Sequence, residues 1–243
     1  MSIQTKALFT WDKNGRTVTL DEPWDGTKPA PRFFLGRTID GKTLVRFRHD
    51  VDSSLIEKLE KLAEDETPAS GFDDFPKHKN EYMELLGNEI SSGPCWIVQP
   101  PSGNKTHYLT ASNTGSPEKM PVLITRKNIN QFKLESLVKP EKGFEWLKDE
   151  IDVAEPCAGL VIDNWLVSQC RSVRRTAQAH EAGLETLADF RGNRYAAIVT
   201  IGWAAAVYDL GALPFYTTSW NNVNSQNVAK KLGLHYYGNN FSV

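Results

Sequence analysis

Residues 180–227 constrain the fold of this chain more than any other stretch. An extended segment through Leu184 and Thr186 runs into a short polar turn, and apolar residues at helical spacing follow at once. After Gly211 and Pro214 end that helix, residues 213–219 read as a second strand. A strand that enters a helix through a short turn and returns as a strand is typical of an α/β protein.

The turn before the helix has the character of an anion site. The first backbone N–H groups of a helix have no intrahelical acceptor, and the helix dipole places partial positive charge there. Arg191 and Arg194 add formal charge to this turn. The same features also occur at ordinary solvated helix starts, so the turn alone leaves both interpretations open.

A family resemblance adds to this interpretation. The turn resembles the acetyl-CoA loop of the GNAT N-acetyltransferase superfamily, which reads Gln/Arg-x-x-Gly-x-Gly/Ala before the central helix. Arg191, Gly192, Tyr195 and Ala196 match it in place. The triplet of residues 184–186 falls where the family has a strand whose backbone binds the pantetheine arm.

A second stretch carries the same resemblance. The family has an Asn after the next strand, a small polar residue three positions on, and then Lys-Leu-Gly, as Asn222, Ser225 and residues 231–233 do here. The resemblance covers residues 122–243 well and the first half loosely. It implies that acetyl-CoA is bound as cosubstrate by these residues: Leu184, Glu185, Thr186, Arg191, Gly192, Asn193, Arg194, Tyr195, Ala196, Asn222 and Ser225.

Two positions depart from the family pattern. Arg194 stands where the family has a Gly that lets the backbone approach the pyrophosphate. Its guanidinium could project outward or contact a phosphate directly. Ala229 stands where many members have the Tyr that protonates the departing thiolate, so this chain must use another acid or none.

The catalytic assignments are Glu181 as general base and Tyr216 as general acid. The resembled family often has its catalytic Glu on the cofactor-binding strand, near His180 or Glu181. Glu181 and Glu185 share one face of a regular strand. The structural alternatives are an ion pair of Glu181 with Arg171 or Arg174, a satisfied half-buried His180, and a core role for Tyr216.

The composition of the chain restricts the class of partner that it can be expected to bind. The chain has 243 residues, 40% of them hydrophobic, and a net charge of −2, so it can bury a sizeable core and lacks the basic excess of nucleic-acid-binding proteins. It shows no secretory signal or membrane span, and its three cysteines have no metal-site spacing; we expect a cytoplasmic protein with reduced thiols. The expected partner is a small-molecule or peptide amine, without nucleic acid or membrane. A homodimer is among the oligomeric states that the sequence allows.

The predicted fold is α/β (α+β): a GNAT-like, mostly antiparallel twisted sheet flanked by helices. We divide the chain into residues 1–120, an N-terminal α/β region on the acceptor side, and residues 121–243, the acetyl-CoA-binding domain. Tight hairpin turns are predicted at Asn14-Gly15, Asp40-Gly41 and Asp163-Asn164. A capping box is predicted at residues 54–57, at the start of a helix with Ile56 and Leu59 on one apolar face. Residues 1–31 are predicted to form an irregular arm apart from its hairpin. Residues 64–79 are predicted to be a plain surface connection, with a substrate-guarding loop as the alternative. Helices are predicted around Phe132 and Trp146, with a break at residues 139–140. The N-terminal region could also be a degenerate second GNAT copy.

The leading hypothesis is therefore an acetyl-CoA-dependent N-acetyltransferase that acts on a primary amine by direct attack in a ternary complex. Transfer of a longer acyl chain is a competing enzymatic interpretation. The alternative from another class is a non-catalytic module that senses or binds acyl-CoA, which Arg194 and Ala229 favour. Binding of CoA, followed by turnover with a panel of amines, distinguishes these hypotheses.

Overall fold

A computed structural model describes residues 1–99, 120–137 and 142–243. Its helices are α1 (Ser2–Leu8), α2 (Ser53–Glu64), α3 (Lys79–Leu86), α4 (Leu147–Ala154), α5 (Tyr195–Asp209) and α6 (Val223–Leu232). Its strands are β1 (Phe9–Trp11), β2 (Thr17–Leu20), β3 (Phe33–Thr38), β4 (Thr43–Phe47), β5 (Ser91–Ile97), β6 (Val122–Ile124), β7 (Cys157–Ile162), β8 (Trp165–Arg175), β9 (Ala179–Thr186), β10 (Leu213–Thr217) and β11 (His235–Ser242). Two 3-10 turns lie at Ile129–Gln131 and Ala188–Phe190.

The chain packs as two compact units. Unit 1 combines Met1–Ile97 with Phe215–Val243, and unit 2 is Val98–Pro214. This packing division differs from the sequential boundary at residue 120. The reason is that β11 returns to pair with both β3 and β5, which draws the end of the chain into the N-terminal unit.

In unit 1, antiparallel strands follow the order β4, β3, β11, β5, β10. The hairpin predicted at Asp40-Gly41 is confirmed, with Gly41 at a φ of +81°. The predicted capping box at residues 54–57 is wrong: the cap of α2 is Asp52, whose carboxylate accepts from the N–H of Ser54. The apolar face of α2 is confirmed, because Ile56 and Leu59 lie in the core.

The first residues of unit 1 are more regular than the sequence predicts. The predicted hairpin at Asn14-Gly15 is present between β1 and β2. The expectation of an otherwise irregular arm is wrong, because residues 2–8 form α1. This helix buries Gln4 and Thr5, and the hydroxyl of Tyr237 donates to the side-chain oxygen of Gln4.

In unit 2, antiparallel strands follow the order β9, β8, β7, β6. The tight turn predicted at Asp163-Asn164 is confirmed, since both residues adopt positive φ, +49° and +66°. Helix α5 packs against β7 and β8. A side chain at Gly202 would bring its Cβ within 2.7 Å of Cγ of Pro121, so glycine allows this close approach.

Helix α4 packs into a hydrophobic core of unit 2. Its residues Leu147 and Ile151 are buried with Phe144 and Leu166. The helix predicted around Phe132 is only a single 3-10 turn, Ile129–Gln131. The break predicted at residues 139–140 lies outside the described residues.

The fold class is as predicted: a mixed α/β protein with mostly antiparallel strands flanked by helices. All three cysteines are buried and unlinked. Within the described ranges, each helix falls short of the length and apolar character needed to cross a bilayer.

Candidate functional site

Strand β9 carries the two candidate bases of unit 2, His180 and Glu181, and their side chains point to opposite faces of the strand. The register pairs Arg175 with His180 and Arg174 with Glu181, and β9 itself is regular. The bulge lies on β8 at Val173, where a Cβ on Gly183 would overlap Cγ1 of Val173. Successive side chains on a strand point to opposite faces, so Glu181 faces away from the side that His180 occupies.

His180 belongs to a buried network beneath α5. The indole N–H of Trp203 donates to Oγ of Ser172 at 3.0 Å, and this oxygen lies 2.7 Å from Nδ1 of His180. Because Oγ accepts from Trp203, its own O–H is available to donate to Nδ1. Burial, with a smaller contribution from the charge of Arg175, lowers the pKa of His180 to about 4. His180 is therefore neutral at pH 7 and a weak base.

Glu181 is only 2% exposed. Its strand partner Arg174 lies directly opposite in the register, as the ion-pair alternative expects. The side chain at Glu185, four positions on, is exposed to solvent.

The predicted pantetheine-binding triplet is held from two sides. The hydroxyl of Ser168 donates to the carbonyl of Glu185 at 3.3 Å and lies 2.7 Å from the hydroxyl of Thr186. The Nε–H of Arg191 donates to the carbonyl of Thr186 at 3.1 Å. Leu184 pairs with Cys170 in the ladder. Arg191 thus supports the end of β9, a role that the sequence did not indicate.

The loop that follows is an exposed, left-handed turn. Gly192 has a φ of +82° and Arg194 a φ of +63°, and Arg194 is the N-cap residue of α5. The side-chain amide of Asn193 donates to the carbonyls of Phe190 and Arg191, both at 3.3 Å. Within the described part of the chain, no backbone carbonyl accepts from the N–H groups of Gly192, Asn193 and Arg194.

The start of α5 combines a buried anchor with an open backbone. Tyr195 is buried, with its ring 6.4 Å from that of Phe190. The N–H of Ala196 also lacks a backbone acceptor among the described residues. The helix start predicted at this loop is confirmed, and its donors face a solvent-exposed turn.

Unit 1 contains the second group of predicted residues, at the start of α6. Asn222 is the N-cap, and its Oδ1 accepts from the N–H of Ser225 at 3.0 Å. The hydroxyl of Tyr216 donates to the carbonyl of Ser225 at 3.2 Å and lies 2.7 Å from its Oγ. Ala229, one turn further along the same helix face, is fully buried. A tyrosine at this position would meet the packed interior of unit 1.

The structure thus brings Tyr216, Asn222 and Ser225 into direct contact in unit 1. In unit 2 it places Glu181 on β9 and gathers the loop residues 191–196 at the start of α5. Sequence reasoning missed Ser168 and Ser172, which support Thr186 and His180. Their four-residue spacing, which puts both serines on one face of β8, was the available signal. Small polar residues on a strand are too common for this spacing to single them out.

Among known proteins, this chain is similar to several solved structures. No family model matches the chain, and no curated protein matches it. It is similar to a GCN5-related N-acetyltransferase-like protein from Streptococcus suis, with 14% identity, a TM-score of 0.46, and coverage of 90% of this chain and 85% of that one. It is similar to an acetyltransferase of the GNAT family from Colwellia psychrerythraea, with 12% identity, a TM-score of 0.46, and coverage of 86% and 81%.

A third similar structure is a proposed GNAT-family acetyltransferase from Novosphingobium aromaticivorans, with 14% identity and a TM-score of 0.43. That match covers 63% of this chain, which spans 64% of the length of that protein. The solved structures to which this chain is similar therefore include GNAT acetyltransferases, the superfamily that its sequence motifs resemble.

Proposed function

We propose that this protein is an acetyl-CoA-dependent N-acetyltransferase that transfers the acetyl group to a primary amine by direct attack in a ternary complex. The observation that carries the proposal is the backbone at Arg194. Its φ of +63° is a conformation that glycine adopts freely, and it occurs at the position where the resembled family has glycine. The chain therefore keeps the loop shape without the glycine.

Backbone N–H groups at this loop support binding of the pyrophosphate. The N–H groups of Gly192, Asn193, Arg194 and Ala196 have no backbone acceptor among the described residues, and the dipole of α5 adds positive potential. Among the described residues, the Arg191 side chain donates through Nε to the carbonyl of Thr186, and its terminal nitrogens are proposed to bind a phosphate. The resemblance also assigns Asn222 and Ser225 to binding of the cofactor.

The proposed chemistry needs one base and one acid. Glu181 takes a proton from the ammonium of the acceptor, and the free amine attacks the thioester carbonyl carbon. The C–S bond of the tetrahedral adduct then breaks, and Tyr216 donates its phenolic proton to the departing thiolate. The extra proton on the new amide nitrogen passes through solvent and re-forms the phenol. Orientation of the two substrates can remove roughly 7 to 11 kcal/mol of barrier, so modest acid and base groups suffice.

The position of Tyr216 favours it as the acid. Its hydroxyl contacts Ser225, which lies one helical turn before Ala229, the position of the acid in many members of the resembled family. A phenol that reaches the same face of α6 from β10 takes the place of one carried by the helix. The N-terminal region is proposed to supply the acceptor side.

A second candidate function is a non-catalytic acyl-CoA-binding module. The observation that favours it is the buried Ala229, which stands where many members of the resembled family have the acid that catalysis needs and that binding alone does not. A binding module keeps affinity for CoA without turnover, so kinetics separate it from an enzyme.

The decisive experiment is isothermal titration with acetyl-CoA, with CoA and desulfo-CoA as controls, followed by release of free thiol in the presence of an amine panel. We expect micromolar affinity in the wild type and about tenfold weaker binding in Asn222→Ala and Arg191→Ala. Lys13→Ala, a surface change that also removes a charge, is the matched control for Arg191→Ala. Absence of binding at millimolar acetyl-CoA would refute the proposal, and binding without turnover would favour the acyl-CoA-binding module.

A further inference from the structure

The segment between α2 and α3, residues 65–78, is a closed strap on unit 1. The carboxylate of Glu66 accepts from the backbone N–H groups of Lys77 at 2.9 Å and His78 at 3.1 Å, which joins the two ends of the segment. The side chain of His78 also contacts Asp65, with Nε2 2.9 Å from the carboxylate. The segment lies largely at the surface, as predicted for a surface connection, but its two ends are tied together by these contacts.

Buried polar side chains hold the middle of the strap. Arg37 on β3, only 1% exposed, donates to the carbonyls of Thr67 and Asp74 and forms an ion pair with Asp74 at 3.5 Å. Asn239 on β11 donates to the carbonyls of Gly71 at 2.8 Å and Asp74 at 3.0 Å. Because the buried guanidinium of Arg37 and the buried amide of Asn239 both donate to this segment, they fix its backbone against the sheet.

The strap places the ring of Phe72 over a row of aromatic residues. Tyr216, Trp96 and Tyr236 lie side by side in register on β10, β5 and β11. The ring of Phe72 lies 5.5 Å from that of Trp96 and 4.9 Å from that of Tyr236. The ring of Trp96 in turn meets that of Tyr216 edge-on at 6.2 Å. Phe72 thus packs on the residue that supports Tyr216.

Phe72 also supports the turn before α6. The indole N–H of Trp220 donates to the backbone carbonyl of Phe72. The carbonyl of Trp220 accepts from the side-chain amide of Gln226 at 2.8 Å, so the turn is held from the strap and from α6. Trp220 lies two residues before Asn222, the cap of α6. The ammonium of Lys230, also on α6, lies 5.1 Å from the centre of the Phe72 ring.

From these contacts we infer that Phe72 and Trp220 are positioning residues, which hold Tyr216 and the Asn222–Ser225 cap in the geometry needed to bind acetyl-CoA and protonate its thiolate. The inference rests on the function proposed above for Tyr216, Asn222 and Ser225. Phe72 acts through its ring on Trp96 and through its carbonyl on Trp220. Neither residue is proposed to touch the substrates.

The test separates the two contacts. Trp220→Phe removes the N–H that binds the Phe72 carbonyl but keeps a ring to pack on Phe75, from which it lies 4.3 Å in the wild type. Phe72→Leu removes the ring and leaves the carbonyl, and Phe72→Tyr restores the ring. Trp11→Phe, in the β1 hairpin of the same unit, is the matched control.

Two measurements report on the positioning. We expect amide hydrogen exchange of the peptide containing Ser225 to quicken about tenfold in Trp220→Phe and to stay at the wild-type rate in Trp11→Phe. We expect the Kd for acetyl-CoA to rise about fivefold in Trp220→Phe. In Phe72→Leu we expect kcat to fall about tenfold and KM for the amine to stay constant, with recovery in Phe72→Tyr, a pattern that general loss of structure would not give.

The outcomes distinguish this inference from the proposed function. A wild-type protein that binds no acetyl-CoA refutes the proposed function and, with it, a positioning role in binding. If the wild type binds acetyl-CoA, unchanged exchange at Ser225 together with unchanged Kd in Trp220→Phe overturns the positioning role while leaving the acetyltransferase proposal intact. Faster exchange with weaker binding supports both.

Discussion

Oγ of Ser172 lies 2.7 Å from Nδ1 of His180, and both side chains are buried beneath α5. Oγ also accepts from Trp203, so its own O–H can donate to Nδ1 while His180 is neutral. Protonation would place a positive charge in this buried site, where desolvation and the charge of Arg175 disfavour it. This relationship makes the core of unit 2 sensitive to acid.

Stability should therefore fall as the pH drops from about 6.5 to about 4. The pKa of His180 is lowered to about 4 in the folded protein, so in this window the unfolded chain binds a proton that the folded chain does not. This group's contribution is fully present above pH 6.5, and about 2 kcal/mol is lost on acidification to pH 4. Urea denaturation across this range measures the effect. His180→Gln should flatten the dependence, whereas His235→Gln, at an exposed position, should leave it unchanged.

The left-handed backbone at Arg194 gives a second prediction. A side chain with a Cβ costs about 1 kcal/mol in this conformation, and glycine avoids the cost. Arg194→Gly should therefore be about 1 kcal/mol more stable than Arg194→Ala, a comparison in which both variants lack the guanidinium. Urea denaturation of the pair decides the point. Equal stabilities would show that residue 194 does not hold a positive φ in solution.

Tyr216→Phe separates catalysis from stability. Loss of the hydroxyl removes contacts with Ser225 and should cost about 1 kcal/mol of stability. If Tyr216 protonates the thiolate, kcat should also fall at least about 100-fold. Tyr208→Phe is the matched control, because that hydroxyl also donates to a backbone carbonyl, that of Val98 at 3.0 Å. An equal effect on kcat in both variants would contradict the catalytic role.

Glu181→Gln tests the base. The amide keeps the volume of a buried side chain but cannot take a proton, so turnover should fall about 100-fold while the Kd for acetyl-CoA stays within twofold. The rising limb of the pH profile of kcat should also disappear. The exposed Glu145→Gln serves as the control. A variant that retains turnover but loses stability would instead assign Glu181 to the structural pairing across from Arg174.

Local signals in the sequence predicted the local geometry of this fold. The turn at Asp163-Asn164 follows from a dipeptide that accepts positive φ at both positions, and the cap at Asn222 from a side chain that can accept from the next helical turn. Long-range partners left no such trace. Ser172 and Trp203 meet across 31 residues, and Arg37 reaches Asp74 from a different element, so neither contact is encoded in a spacing.

The same limit applies to the candidate site. The loop at Gly192 and Arg194 was found because a short motif carries its own backbone geometry. Helix α1 and the strap around Phe72 were missed, because their order comes from burial against strands that are distant in sequence. The pairing of β11 with β3, which brings the end of the chain into unit 1, is likewise a property of the folded sheet.

Gln169 provides the last prediction, because its polar side chain is buried in the interior of unit 2. The residue is fully buried on β8, and neither its amide nitrogen nor its amide oxygen has a hydrogen-bond partner within the described residues. A buried unpartnered amide is costly, so replacing it with an apolar side chain of similar length should stabilise the protein. Gln169→Met should raise stability by about 1 kcal/mol, a rise in Tm of about 2 to 4 °C for a chain of this size.

The matched control for this change is Gln226→Met, the same substitution at a buried glutamine whose amide donates to the carbonyls of Ser219 and Trp220. That variant should lose stability by about 1 to 3 kcal/mol, because two acceptors lose their donor. Thermal unfolding followed by circular dichroism compares the two directly. Loss of stability in both variants would mean that the amide of Gln169 has a partner in solution, such as a bound water, that stabilises it.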